Sequence, residues 1–426
     1  MRFPHGVLLM AALLMPSLGG AEWRGHGGPV RALAISPDGS RIMSGSFDQS
    51  AILWAPDQEA ALAILRFHAG AVNAVAALPD ERFATAGEDG RIAIWRGAEP
   101  IPVVVLEAHG GPIVGLAASP DGEAIASASW DGTARMTPLR GGPARVLEGH
   151  RGNVNAVAFS SEGRLVTAGY DATLRIWPKE DGAGPLVITT PTPLNGVVAA
   201  PEGEIVTAGA DGVVRIVTAD GQVRAAIETQ PSPIVALGVS RDGAKIAAAN
   251  IGGAVAIIDR SAAKIAFSLV GPGPPVWAIA FTPDGRELLT GGGDGVVRRW
   301  NARSGEPVGA VATGRSSHSV ASEEDRGARV FQACAVCHTL SPDGGNRAGP
   351  SLHGVIGRRI ATLPGYAFSD ALTHLDIVWT PATISRLFEI GPSRFTPGTK
   401  MPEQIIVNVD DRAALTRFLE RASAPQ

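Results

Sequence analysis

From residue 30 the chain alternates between strand and turn. Val30-Arg31-Ala32-Leu33-Ala34-Ile35 reads as an alternating, half-buried strand, and Ser36-Pro37-Asp38-Gly39 then turns it. A second short strand carries Ser44, a tight turn carries Asp48, a third strand closes on Trp54, and a fourth leads into the next unit. Aligned on His26, the same frame returns at His68, His109, His150, Thr190, Gln230 and Pro272, at spacings of 42, 41, 41, 40, 40 and 42 residues. Self-similarity at that period predicts an array of small sheets that bury their faces on one another. Past residue 313 the alternation ends. Gly327, Val330 and Phe331 fall on one helical face, and Leu415, Phe418 and Leu419 share a face of a last helix predicted from Asp410 to about Arg421.

Four residues of each frame can satisfy one another inside a sheet: a His on the incoming loop, a Ser or Thr on the second strand, the turn Asp, and a Trp on the third strand. Three units keep all four: His26, Ser44, Asp48 and Trp54; His68, Thr85, Asp89 and Trp95; His150, Thr167, Asp171 and Trp177. The others are eroded. The third has Thr137 for Trp, and the fifth has Thr190 for His and Val217 for Trp. The sixth has Gln230, Gly252 and Ile258, while the seventh keeps Thr290, Asp294 and Trp300 behind Pro272. Seven frames in register resemble the WD40 repeat, and seven copies imply a β-propeller of seven blades within residues 22–313. Every His between residues 22 and 317 belongs to this frame, which leaves no imidazole there to hold a haem iron or a transition metal. A hard-cation site on carboxylates stays open. Only Glu22, Trp23 and Arg24 precede the first Gly-His after the expected cleavage, so Pro307–Ala312 is expected to supply the last blade's outer strand. Trimming residues 22–24 should then barely lower the melting temperature.

Ahead of the repeats, Arg2 is followed by the apolar run Val7–Met15 and the small residues Gly19-Gly20-Ala21. This run is too short to span a bilayer and reads as a signal peptide, residues 1–21, with a mature chain that has no transmembrane segment and sits in the periplasm. Composition adds that nucleic acid is not a partner: the formal net charge is −4, and only Lys179, Lys245, Lys264 and Lys400 are lysines. Thr313–Ser322 is small and polar, giving a linker at 314–322 ahead of a domain over 323–426. The acidic run Glu323-Glu324-Asp325 suits the start of its first helix.

The chain's two cysteines both lie in Cys334-Ala335-Val336-Cys337-His338. Two thiols one helical turn apart, with a His next to the second, are the pattern of c-type haem attachment, each thiol adding to a vinyl group and His338 lying under the iron. The surrounding stretches Gly349-Pro350-Ser351-Leu352-His353-Gly354, Gly357-Arg358-Arg359, Pro364-Gly365-Tyr366, Val378-Trp379 and Pro397-Gly398-Thr399-Lys400-Met401-Pro402 resemble class I cytochrome c of the mitochondrial and c2-like branch. The resemblance spans the whole domain. The expected architecture is therefore multidomain, an all-β propeller followed by an all-α cytochrome c fold with one covalent haem (heme c).

The resemblance implies Met401 as distal iron ligand, and Met401 is the domain's single Met. A thioether opposite imidazole favours the ferrous state. His353 and His374 are the alternatives to it. The resemblance further implies that the Pro350 carbonyl accepts from His338, that Arg358 and Trp379 serve the buried propionate, and that Thr399 lies near the other. Phe368 departs from a Tyr common in that branch. The domain holds eleven Arg and Lys against eleven Asp and Glu, so the lysine ring by which mitochondrial cytochrome c docks is missing. An electron carrier whose propeller docks a periplasmic or membrane-bound redox protein follows from this. Two other readings stay open: a self-contained oxidoreductase with a substrate or cofactor site on the propeller, and a haem-based sensor.

Overall fold

The computed structural model describes residues 22–56, 61–180, 182–270, 274–309, 326–328, 330–331, 334, 338–340, 349–366, 368–399, 401, 406 and 408–424. The expected signal peptide, the linker and Cys337 lie outside the described residues. Between Glu22 and Asn301 the chain forms seven four-stranded antiparallel sheets. In six of them the strands lie in chain order, as in the first blade: Val30–Ile35, Ile42–Ser46, Ser50–Trp54 and Ala61–Arg66. The innermost strand of every blade slips register after its first residue, as between Val30 and Ala32, Val72 and Ala74, and Val276 and Ala278. That bulge adds local twist at the same place seven times. Facing sheets share their cores: Met43 and Leu53 of the first blade pack with Val72, Phe83 and Trp95 of the second. This is the seven-bladed propeller expected from the repeats.

The frames are built as the sequence predicts. In the first blade His26 Nδ1 lies 3.0 Å from Asp48, its Nε2 lies 2.7 Å from Ser44 Oγ, and Trp54 Nε1 donates to the same hydroxyl at 2.8 Å. His68, His109 and His150 spend both ring nitrogens in the same way. The eroded blades are repaired differently. Where the fifth and seventh lack His, an Arg four residues after the frame Asp takes its place: Arg215 donates to both oxygens of Asp211, and Arg298 to both of Asp294. In the sixth, Asn250 caps the turn that Gly252 leaves without a carboxylate, accepting from the backbone N–H groups of Gly252 and Ala254.

Ring closure overturns the expectation from the sequence. Glu22–Arg24 is itself the outer strand of the seventh blade, pairing antiparallel with Val296–Arg298. Trp23 is 1% exposed and stacks on Trp54 of the first blade at 5.9 Å, and the Arg299 guanidinium covers its ring. Glu22 completes the seam by accepting from Arg298 Nε at 3.1 Å. On the C-terminal side, the described residues Glu306, Pro307 and Val308 reach the same strand at Asn301, Trp300 and Arg299, and residues 310–312 of the expected strand lie outside the described residues. Three residues carry no readable period, but a buried indole and an internal carboxylate make them a clasp.

The C-terminal domain is helical. Helices run over Asp370–Thr373, Pro381–Ile390, Pro392–Phe395 and Val409–Ala422. Thr380 and Thr383 cap the second of these reciprocally, and Asn408 caps the last, with Asp410 and Asp411 in its first turn. Residues 326–328, 330–331 and 334 are helical, and Gly327 lies against Ala414 and Phe418 of the last helix. A Cβ on Gly327 would come within 2.4 Å of the Ala414 carbonyl oxygen. Phe331 and Phe418 meet at 5.3 Å, and Arg326 donates to Asp411 at 2.6 Å.

Candidate haem site

The helical domain packs its side chains around a cavity that is partly open to solvent. Apolar walls come from Phe331, Leu352, Ile384, Leu387, Phe388 and Leu419. The candidate residues converge on it from separate elements. Cys334 and His338 stand one turn apart, linked by the His338 N–H to the Cys334 carbonyl at 3.0 Å. Burial pushes the Cys334 thiol up to about 11. Met401 reaches the cavity from the loop that follows Pro392–Phe395. Cys337 is not among the described residues.

His338 is oriented by two neighbours. Its Nδ1 lies 2.7 Å from the Pro350 carbonyl oxygen, a contact only an N–H can make, so the lone pair belongs to Nε2. Gly349 runs beneath the ring so closely that a Cβ there would sit 2.3 Å from Cε1. The Gly349-Pro350 pair therefore sets both tautomer and position of the imidazole. On the opposite loop, Met401 N–H donates to Thr399 Oγ1 at 3.1 Å, while Gly398 adopts φ 80° with Ala371 2.3 Å from where a Cβ would stand. Thr399 thus has a use the sequence did not suggest: its hydroxyl holds the Met401 backbone.

Arg358 and Trp379 both line the cavity, on strand-like segments that pair through backbone bonds at 2.8 and 2.9 Å. Arg358 directs its terminal nitrogens to the carbonyls of Ser351 and His353, at 2.7 and 3.1 Å, and burial lowers its pKa from the usual value. Of the alternatives to Met401, neither His353 nor His374 borders the cavity, and His374 Nδ1 is taken by the Asp370 carbonyl at 2.7 Å. A second finding was not legible from the motifs. Arg66 and Asp48, from the first blade, border the same cavity. Nothing near Arg66 in sequence marks it, because its neighbour Tyr366 is 300 residues away.

An apolar slot with an imidazole, a thioether and a thiol on its walls, and cations at its rim, fits an amphiphilic iron macrocycle with two carboxylates. The comparisons with known proteins point the same way. Residues 324–423 match the cytochrome c family, and residues 20–55, 60–96, 100–136, 141–178 and 264–301 match the WD domain, G-beta repeat. The chain is 38% identical to a cytochrome c of Gibberella zeae over 96 residues, which is 22% of this chain and 90% of that protein. It is 38% identical over 103 residues to a cytochrome c of Arabidopsis thaliana, covering 24% of this chain and 91% of the relative. With a cytochrome c2 of Rhodoblastus acidophilus the figures are 36% over 104 residues, 24% and 96%. The chain belongs to the cytochrome c family. Its cytochrome c domain carries a covalently bound c-type haem, the cofactor of single-electron transfer, beside a WD40 propeller nearly three times its length.

Proposed function

We propose that this cytochrome c is an exported, periplasmic electron carrier whose propeller docks its redox partner. In this reading Cys334 and Cys337 form the thioether bonds, and His338 and Met401 bind the iron. Pro350 holds the His338 ring, and Arg358, Trp379 and Thr399 border the propionates. The observation that carries it is the convergence of Cys334, His338 and Met401 on one cavity, with the His338 proton fixed on Nδ1 by Pro350. The haem, when bound, supplies the one-electron couple. The protein keeps the His338 lone pair on Nε2, brings the Met401 thioether from a loop stiffened by Pro397 and Gly398, and excludes water with Phe331, Leu387 and Phe388.

Docking through the propeller is supported by charge. The domain's balanced charge gives little long-range steering, whereas a rigid propeller tethered to the haem raises its effective concentration at a bound partner. Each described propeller His spends both nitrogens on its frame, which favours a carrier over a propeller with its own haem chemistry. Two measurements test the proposal. Cell fractionation should recover the haem-stained full-length chain in the periplasm; finding it in the cytoplasm contradicts export. Stopped-flow oxidation of the ferrous chain by the host's own membranes should vary little with ionic strength, and a steep fall with salt would contradict propeller-led docking.

A further inference from the structure

We infer that the propeller completes the haem site: Arg66, from the first blade, is the donor to a haem propionate. The inference rests on the haem occupying the cavity and is independent of which partner docks. Arg66 ends the outer strand Ala61–Arg66 and pairs with Ser50, so its backbone is fixed on the rim that also carries Asp48. Its side chain leaves the propeller and borders the cavity of the helical domain, where the guanidinium carbon lies 5.5 Å from the centre of the Tyr366 ring. That ring meets Phe368 at 4.7 Å, so the guanidinium stands on an aromatic wall of the cavity.

The reason to assign an anion here is an unmet donor. Arg66 Nε is closed off from solvent and has no hydrogen-bond partner among the described residues. A donor on a charged group is costly to bury unpaired. The one carboxylate among the described residues that line the cavity cannot serve, because Asp48 is already spent on its frame. Its Oδ2 accepts from His26 and from the Gly27 N–H, and its Oδ1 from the N–H and hydroxyl of Ser50. The other charged side chains among the described residues of the wall are cations: Arg358, turned to Ser351 and His353, and Arg359, paired with Asp376 at 3.2 Å. The wall thus has positive charge in excess, and the ligand this family binds brings two carboxylates. Phe368 offers no donor on that side, and Arg66 does. A propeller contact then acts on the haem electrostatically, since a fixed positive charge disfavours the ferric form.

The test uses the full chain, matured with haem, as wild type, Arg66→Gln and Arg66→Lys. Covalent haem content, the melting temperature and the midpoint potential by mediator titration are read for each. Arg66→Gln is expected to move the redox equilibrium three- to tenfold toward the ferric form, where tenfold corresponds to 59 mV for one electron. Arg66→Lys keeps the charge but loses the flat stacking surface, and should restore most of that shift. An unchanged potential in Arg66→Gln overturns the inference. So does an equal drop in both variants, which would assign Arg66 to stacking on Tyr366. A wild-type chain without covalent haem would instead refute the ligand assignment itself, and this inference would fall with it.

Discussion

The propeller and the haem domain solve the problem of buried polar groups in opposite ways. In the propeller each blade satisfies its own: His26, Ser44, Asp48 and Trp54 close a network inside one sheet, and the design is repeated with substitutes such as Arg215 and Arg298 where a member is lost. The haem domain is arranged around a cavity, and the polar groups that line it, His338, Arg358 and Thr399, are held by the backbone of its own loops. Redundancy makes the first region tolerant of single losses. The second has one copy of everything and depends on its cofactor for a filled core.

The sharpest way to break this contrast is to remove the haem. Replacing Cys334 and Cys337 together by Ala should abolish covalent haem and erase the helical domain's cooperative transition in calorimetry. The propeller's transition should remain. If both transitions vanish, the propeller is not the independent unit described here.

Next in size is the clasp. Trp23→Ala empties a buried indole site between the first and last blades and should cost about 3–5 kcal/mol in propeller stability, read by denaturant titration. The same substitution should leave the haem spectrum unchanged. A smaller effect is expected from Arg298→Met, which takes the guanidinium from Asp294 and Glu22 and leaves them the Val296 N–H and Arg24 respectively; a loss of about 1–3 kcal/mol follows from leaving these carboxylates under-satisfied. An equal change in the helical domain's transition would contradict the separation of the two networks.

The smallest effect is the pH dependence of the frames. Burial opposes ionisation of Asp171, but the Arg151 N–H, His150 and Thr173 outweigh it and hold its pKa at about 2. A folded pKa below the ordinary 3.8 stabilises the fold above that value, and the gain is lost as pH falls from there to about 2. Burial lowers His109 and His150 below the ordinary 6.5, so their contribution is complete above 6.5 and declines as pH falls through it. Propeller stability should therefore drop in two acid stages. His150→Gln should remove the upper stage of its blade, and an unchanged profile would contradict the assignment.

How far the sequence reveals all this depends on periodicity. Seven blades were legible because a frame seen once is ambiguous and a frame seen seven times at regular spacing is not. The attachment motif was legible because Cys334, Cys337 and His338 lie side by side. Glu22–Arg24 was misjudged because three residues cannot show a period, and their value lies in Trp23 meeting Trp54 across the ring seam. The Arg substitutes were visible in principle, since Arg135, Arg175, Arg215 and Arg298 all follow a frame Asp by four residues. The two-pronged contact forms in the blades that lack His, whereas Arg175, beside His150, comes only within 3.8 Å of Asp171, a difference of geometry that the spacing does not display. Arg66 was beyond reach, because its role arises where two domains meet.

The proposed electron transfer requires iron held between His338 and Met401. Near-infrared and visible spectra of the haem-loaded chain test this most directly, on the wild type and on Met401→Ala. The prediction is a single low-spin c-type haem with a methionine-to-iron charge-transfer band that disappears in the variant. A band that survives the loss of Met401, or a second chromophore in the wild type, would contradict it.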